Sequence, residues 1–111
     1  MSEEGKLKRA TISSYALVDQ NELALQSAVA SLPVAATIDA SRKTFRFYRN
    51  GIYDDPECTA AQLNHGVTIT GYDYDQWTVK NSWGEDWGER GYVRMARNKH
   101  NQCGIASRAS Y

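Results

Sequence analysis

The chain has 111 residues, with 13 Lys plus Arg balanced by 13 Asp plus Glu, so its formal charge is zero. That length sets one domain around one hydrophobic core, and the balance gives no global drive toward nucleic acid or a membrane surface. No apolar run approaches the ~20 residues of a spanning helix, and Met1 to Lys6 carry no apolar signal region.

Thr11 to Val18, with Ile12, Tyr15, Leu17 and Val18, reads as a short strand. Asp19-Gln20-Asn21 is a cap region, with Asn21 or Asp19 as N-cap and Glu22 in the first turn. Leu25, Ala28, Val29 and Leu32 then recur at i, i+3, i+4, i+7, one face of a helix that Pro33 ends. Val34 to Ala40 reads as a buried strand. Phe45, Phe47 and Tyr48 form an aromatic turn, Asn50-Gly51 is a turn dipeptide, Ile52-Tyr53 is extended, and Asp54 to Glu57 is a loop. His65 to Tyr72 alternates, with Val67 and Ile69 on one face and Thr68 and Thr70 on the other. Gln76 to Asn81 is its hairpin partner across Asp73-Tyr74-Asp75. Gly84 and Gly88 interrupt a Trp-rich segment, and Gly91 to Arg97 is a further strand. The expected fold is α+β: one N-terminal helix packed on a mostly antiparallel sheet curled toward a barrel. Charge is uneven along it. Gly51 to Asp75 holds acids and no Lys or Arg, Tyr92 to Tyr111 the reverse, which reads as two solvated faces.

His65 opens one strand of the hairpin and Asn81 closes the other, with Asp73 equidistant from both in sequence. Cross-strand neighbours lie ~5 Å apart, so the Asn81 amide oxygen is in reach of a ring nitrogen of His65. Such a bond fixes the tautomer and orientation of a histidine without adding charge, the role of the third group in a nucleophile–base–orienter triad. Trp83 is placed to cover that bond and strengthen it by excluding water. The same spacing also suits a half-buried histidine satisfied by a backbone carbonyl. Cys58 and Cys103 suit either one disulfide or two free thiols, since count alone does not choose. No cofactor and no metal are expected.

Leu63-Asn64-His65-Gly66-Val67-Thr68-Ile69-Thr70-Gly71-Tyr72 and Trp77-Thr78-Val79-Lys80-Asn81-Ser82-Trp83-Gly84-Glu85-Asp86-Trp87-Gly88 resemble the histidine and asparagine regions of papain-like cysteine peptidases. Asn101-Gln102-Cys103-Gly104-Ile105-Ala106-Ser107 with Ala109-Ser110-Tyr111, and Phe45 through Tyr53, resemble the cathepsin L branch. The resemblance runs from about Lys8 to the end. It implies that His65 is the catalytic histidine, Asn81 its orienter and Trp83 the shielding indole. It also implies a Cys58–Cys103 disulfide, and hence a secretory route to the lysosome or the extracellular space. Thr37 and Arg108 are similar to residues of the S2 specificity pocket, Arg108 standing in Ala106-Ser107-Arg108-Ala109-Ser110 at its floor. There it favours an acidic or polar P2 side chain or narrows the pocket, unless it turns outward to water. Leu63 and Asn64 are similar to residues that meet the substrate around the scissile bond.

Departures from the family pattern are as informative. The family has two lobes, and its N-terminal lobe carries the nucleophile in a Cys-Gly-Ser-Cys-Trp-type segment and a glutamine for the oxyanion hole. Neither segment occurs here. Residues 1–111 therefore look like the C-terminal, β-barrel lobe of a cathepsin L-like endopeptidase, expected to be inactive alone. The implied partners are a cysteine-bearing N-terminal lobe and peptide or protein substrates, with no nucleic acid and no membrane. Self-association through an exposed, partly apolar inter-lobe face is a further expectation. The alternative is an isolated, non-catalytic binding or interaction module. Asp73 and Gln76 replace a usual glycine and aromatic in the hairpin loop, where they leave the His–Asn pair in place.

Overall fold

The computed structural model describes residues 16–111. Of the first expected strand, residues 11–15 lie outside that range. Leu17 bridges Ser110, with Ala16 and Tyr111 exchanging backbone hydrogen bonds of 2.9 and 3.0 Å.

Helix α1 spans Glu22–Val29 and starts at Asn21, which is extended and whose Oδ1 accepts from Ala24 N at 2.7 Å. The carboxamide satisfies an orphan donor of the first turn, so Asn21 rather than Asp19 is the cap. The apolar stripe stops short of the expected length. Leu25 and Val29 are buried, but Leu32 is half-exposed in the turn after the helix. That turn is closed by Ser31 N and Leu32 N, both donating to Ala28 O.

Strand β1, Val34–Ile38, buries Val34, Ala36 and Ile38 while Ala35 and Thr37 face outward. It is therefore one-sided rather than buried on both faces. A short helix, α2 at Lys43–Arg46, replaces the expected aromatic turn, with Phe45 fully buried and Phe47 exposed. Strands β2 (Ile52–Tyr53), β3 (His65–Tyr72), β4 (Gln76–Lys80), β5 (Tyr92–Ala96) and β6 (Ala109–Ser110) complete the sheet, with a 3₁₀ turn at Gln102–Gly104 before the last.

The six strands run in the order β2-β5-β4-β3-β1-β6 and form an open sheet. Only the β2–β5 pair is parallel. The class is α+β as expected. Trp77, Phe45, Leu25, Ile38, Ile69, Met95 and Ile105 are fully buried between the sheet, the two helices and the C-terminal turn.

Two ties hold the ends of the chain to that core. Glu22 accepts from Trp77 Nε1 at 2.9 Å, Asn98 N at 2.9 Å and Asn101 N at 3.2 Å, fixing α1 to β4 and to the loop after β5. Cys58 and Cys103 form a disulfide with Cα atoms 4.8 Å apart, which fixes the loop before β3 to the 3₁₀ turn. Gly104, at φ +76°, sits beside it. A Cβ there would come within 2.6 Å of Leu63 Cδ2 and 3.0 Å of Ala60, so glycine lets the 60–63 loop close on the turn.

Candidate active site

His65 begins β3 opposite Ile38, and Asn64 just before it donates its N–H to Ile38 O at 3.0 Å. The Asn64 side chain is engaged with the chain itself. Its Oδ1 accepts from Ala40 N at 3.0 Å, and its Nδ2 donates to Asp39 Oδ1 at 3.3 Å. Asp39 also accepts from Ser41 N and Ser41 Oγ, and these bonds hold its carboxyl below the usual range although burial pushes the other way. The turn after β1 thus anchors the start of the histidine strand. Leu63 is half-buried against Gly104.

His65 shares the parity of buried Val67 and Ile69, and Asn81 follows buried Val79 by two positions. Both side chains therefore lie on the core-facing side at one end of the sheet. They are not directly opposite each other. Thr68 pairs with Lys80 and Tyr72 with Trp77, with a register shift between Ile69 and Gly71. The extra residue, Thr70, displaces the simple hairpin count, and continuing the register places Asn81 across from Val67. The carboxamide spans the diagonal: His65 Nε2 lies 2.6 Å from Asn81 Oδ1.

An amide oxygen only accepts, so Nε2–H is the donor and Nδ1 is the nitrogen left for proton transfer. The amide is itself oriented, because Oδ1 also accepts from Ser82 N at 2.8 Å, while Asn81 N donates to Gly91 O at 3.0 Å. Asn81 is 5% exposed, and burial strengthens such a bond.

Trp83 lies against the His65 ring at 4.9 Å between centroids and is 42% exposed. It rests on Phe45 at 5.6 Å and Trp87 at 5.4 Å. Trp87 is pinned in turn, since its Nε1 donates to Phe45 O at 3.2 Å and Arg46 O at 3.1 Å. The sequence points to Trp83 but not to this support. Phe45 and Trp87 were legible only as aromatic residues near turns, and the short helix that joins them was not foreseen.

Thr37 and Arg108 come together in a second part of the site, a cleft of about 450 Å³ that Gly66, Lys80, Asn81 and Ser82 also line. Thr37 pairs with Gly66 across β1 and β3, so Gly66 follows from the register once those strands are known to be neighbours. Arg108 is exposed there. Leu63, Asn64 and His65 are not among the cleft residues. Among the large exposed apolar residues, Leu17, Leu23 and Tyr111 lie near α1 and Phe47 just after α2.

Both cysteines are consumed by the disulfide, so the 111 residues hold no free thiol. Among the described residues no three His, Cys, Asp or Glu side chains gather to hold a metal ion, and no helix is long and apolar enough to cross a membrane.

The model of the papain family cysteine proteases matches residues 1–111. The chain belongs to that family. Its papain-family relatives include cathepsin L of Sarcophaga peregrina, 50% identical over 97 residues, covering 82% of this chain and 29% of the relative. Cathepsin S of Mus musculus is 52% identical over 112 residues, covering 96% of this chain and 33% of the relative. The chain thus spans about a third of the length of such curated relatives. In three dimensions it is similar to the Carica candamarcensis cysteine protease solved in complex with E-64, with a TM-score of 0.83 and 37% identity over 87% of this chain and 46% of that one. Bromelain from Ananas comosus, solved with the E64 inhibitor, gives a TM-score of 0.78 and 40% identity over 87% of this chain and 48% of that one.

Proposed function

We propose that residues 1–111 are the C-terminal lobe of a cathepsin L-like cysteine endopeptidase and supply its base and orienter, His65 and Asn81. The observation that carries this is the 2.6 Å bond from His65 Nε2 to Asn81 Oδ1, which leaves Nδ1 as the working nitrogen. In the assembled enzyme a cysteine from the N-terminal lobe stands beside Nδ1 as a thiolate paired with the imidazolium. That pairing lowers the thiol pKa and supplies the nucleophile. The sulfur attacks the peptide carbonyl carbon, and Nδ1–H gives its proton to the leaving amine. The neutral ring then takes a proton from the water that hydrolyses the thioester. Asn81 holds the ring in one tautomer through these steps, and Trp83 keeps water from their bond.

Thr37 and Arg108 are proposed walls of the cleft that receives P2. Leu63 and Asn64 border the scissile bond, Asn64 by its backbone, since its amide is committed to Ala40 and Asp39. The disulfide supports an oxidising route, lysosomal or extracellular. Substrates are peptides or proteins, and the partner is the cysteine-bearing lobe.

The test is to combine this chain with such a lobe and measure hydrolysis of a dipeptidyl fluorogenic substrate. His65→Ala is expected to lower kcat by roughly 10³-fold or more, as loss of a triad member does, and Asn81→Ala by less. Unchanged kcat in His65→Ala overturns the assignment. The chain alone is expected to show no turnover sensitive to a thiol-reactive epoxide. Turnover that the epoxide abolishes would contradict the absence of a nucleophile.

A further inference from the structure

Beside the contact of Trp83 with Trp87 the surface opens into a groove of about 410 Å³ between α2 and the Trp87 segment, lined by Arg46, Phe47, Arg49, Asp86, Trp87 and Gly88 among others. Its walls are fixed to one another. Trp87 Nε1 donates to the carbonyls of Phe45 and Arg46, and its ring packs on Tyr48 at 5.4 Å. Gly88, at φ +62°, forms part of the lining, and a Cβ there would come within 2.6 Å of Tyr92 O and 3.1 Å of the Tyr48 ring. The groove is thus part of the fold rather than a gap between mobile side chains.

Its charge is unbalanced. Residues 42–49 contain Arg42, Lys43, Arg46 and Arg49 and no acid. Arg42 is neutralised by Asp55 at 3.3 Å and Glu57 at 2.8 Å. Arg46 and Arg49 are exposed, and among the described residues no carboxylate forms an ion pair with either. Asp86 is the one acid of the lining. Phe47, 72% exposed, sets an apolar shelf between the two guanidinium groups in sequence.

The groove lies next to the aromatic cluster that meets His65: His65 to Trp83 and Trp83 to Trp87 are ring-to-ring steps of 4.9 and 5.4 Å, and Trp87 lines the groove. An extended peptide advances about 3.3 Å per residue, so the two steps correspond to about three residues.

We propose that this groove binds acidic side chains of a peptide substrate, with Arg46 and Arg49 as the specificity-determining residues. The proposal rests on the peptidase reading above for the class of ligand. Guanidinium forks suit paired acceptor oxygens, and Phe47 favours an apolar neighbour to the acid. Asp86 keeps the acid on the Arg46–Arg49 side. A basic segment meets repulsion there.

The experiment is a nuclear magnetic resonance titration of the full chain, at low ionic strength where such contacts are least screened. The probes are acetyl-Gly-Glu-Glu-Phe amide, its Gln-Gln counterpart and a sulfated disaccharide. The acidic peptide is expected to shift the amides of Arg46, Phe47, Arg49 and Trp87 with at least tenfold higher affinity than the Gln-Gln peptide. Arg46→Ala with Arg49→Ala is expected to remove that difference while the rest of the spectrum stays dispersed. Equal affinity for the two peptides, shifts elsewhere on the surface, or tighter binding of the sulfated sugar at these amides overturns the proposal. His65→Ala separates the two readings. Undiminished hydrolysis by His65→Ala in the assembled enzyme sinks the peptidase assignment, whereas equal affinity of the unaltered chain for the two peptides sinks the groove proposal.

Discussion

Replacing Cys58 and Cys103 together by alanine removes the link between the loop before β3 and the 3₁₀ turn. The closed span is 45 residues, for which the loss of chain entropy in the unfolded state amounts to about 4 kcal/mol at 25 °C. Both residues are buried, at 6% and 0% exposure, so each missing sulfur also leaves a small void worth about 1 kcal/mol. The expected loss is therefore about 4–6 kcal/mol. With a urea m-value of about 1.5 kcal/mol/M for a chain of this size, the midpoint falls by about 3–4 M. That is comparable to the whole stability of a small domain, so loss of far-UV circular dichroism without denaturant is the same result in stronger form. Reduction of the wild-type protein removes the entropy contribution but not the sulfur atoms, and is expected to cost the smaller end of that range. A double variant within 1 kcal/mol of wild type by urea unfolding refutes the reasoning. It would mean that the 54–64 loop is held by its other contacts, such as Asp55 N donating to Gln102 Oε1 at 2.6 Å.

Gly104→Ala is expected to cost about 2–5 kcal/mol in the same urea assay, combining a left-handed backbone position with overpacking against Leu63 and Ala60; a cost below 1 kcal/mol contradicts it. Stability is expected to hold from neutral pH down to about pH 5 and to decline below about pH 4. Asp55 is held below its usual 3.8 by hydrogen bonds from Thr44 Oγ1 and Glu57 N and by Arg42, and Glu89 below its usual 4.5 by Arg94 and Gly51 N. A carboxyl depressed in the folded state stabilises fully above its unfolded pKa and loses that contribution as pH falls through the folded one. Thermal melts of Asp55→Asn and Glu89→Gln as shallow in pH as expected, compared with wild type, check this, and an unchanged slope argues against it. In the assembled enzyme Arg108→Ala is expected to lower the kcat/KM ratio of P2 Glu over P2 Leu substrates by about tenfold or more, the effect of one charge-assisted hydrogen bond. An unchanged ratio means that Arg108 turns to water.

The parts of the fold legible in the sequence were those written in local chemistry. Asn21 with Glu22 marked the start of α1, and alternation from His65 marked β3. Two features escaped, one for a local reason and one for a distant one. Leu32 fits the helical stripe by spacing, but Ala28 O takes the amides of both Ser31 and Leu32, and the helix closes before Leu32 reaches the core. The helix α2 escaped because its four residues have no side-chain cap. It is held instead from outside, by the Trp87 indole on the Phe45 and Arg46 carbonyls.

The hairpin count shows how a site can be legible while its stated geometry is not. Equal spacing about Asp73 placed His65 and Asn81 face to face. The register shift at Thr70 moves β4 along β3, so that continuing the observed pairing places Asn81 opposite Val67. Yet the shift preserves parity: His65 and Asn81 remain on the core-facing side, where a carboxamide reaches diagonally to a ring nitrogen. A slip of one residue without compensation would have turned Asn81 outward beside Lys80 and broken the pair. What fixes the pair is therefore the inward turn of both side chains, enforced by the burial of Val67, Ile69 and Val79. The supports that hold it, Ser82 N and Gly91 O on Asn81 and Trp83 on the ring, all come from this chain. The His65–Asn81 pair is thus organised within this chain, so under the proposed function bringing a thiol alongside requires no further ordering of either group.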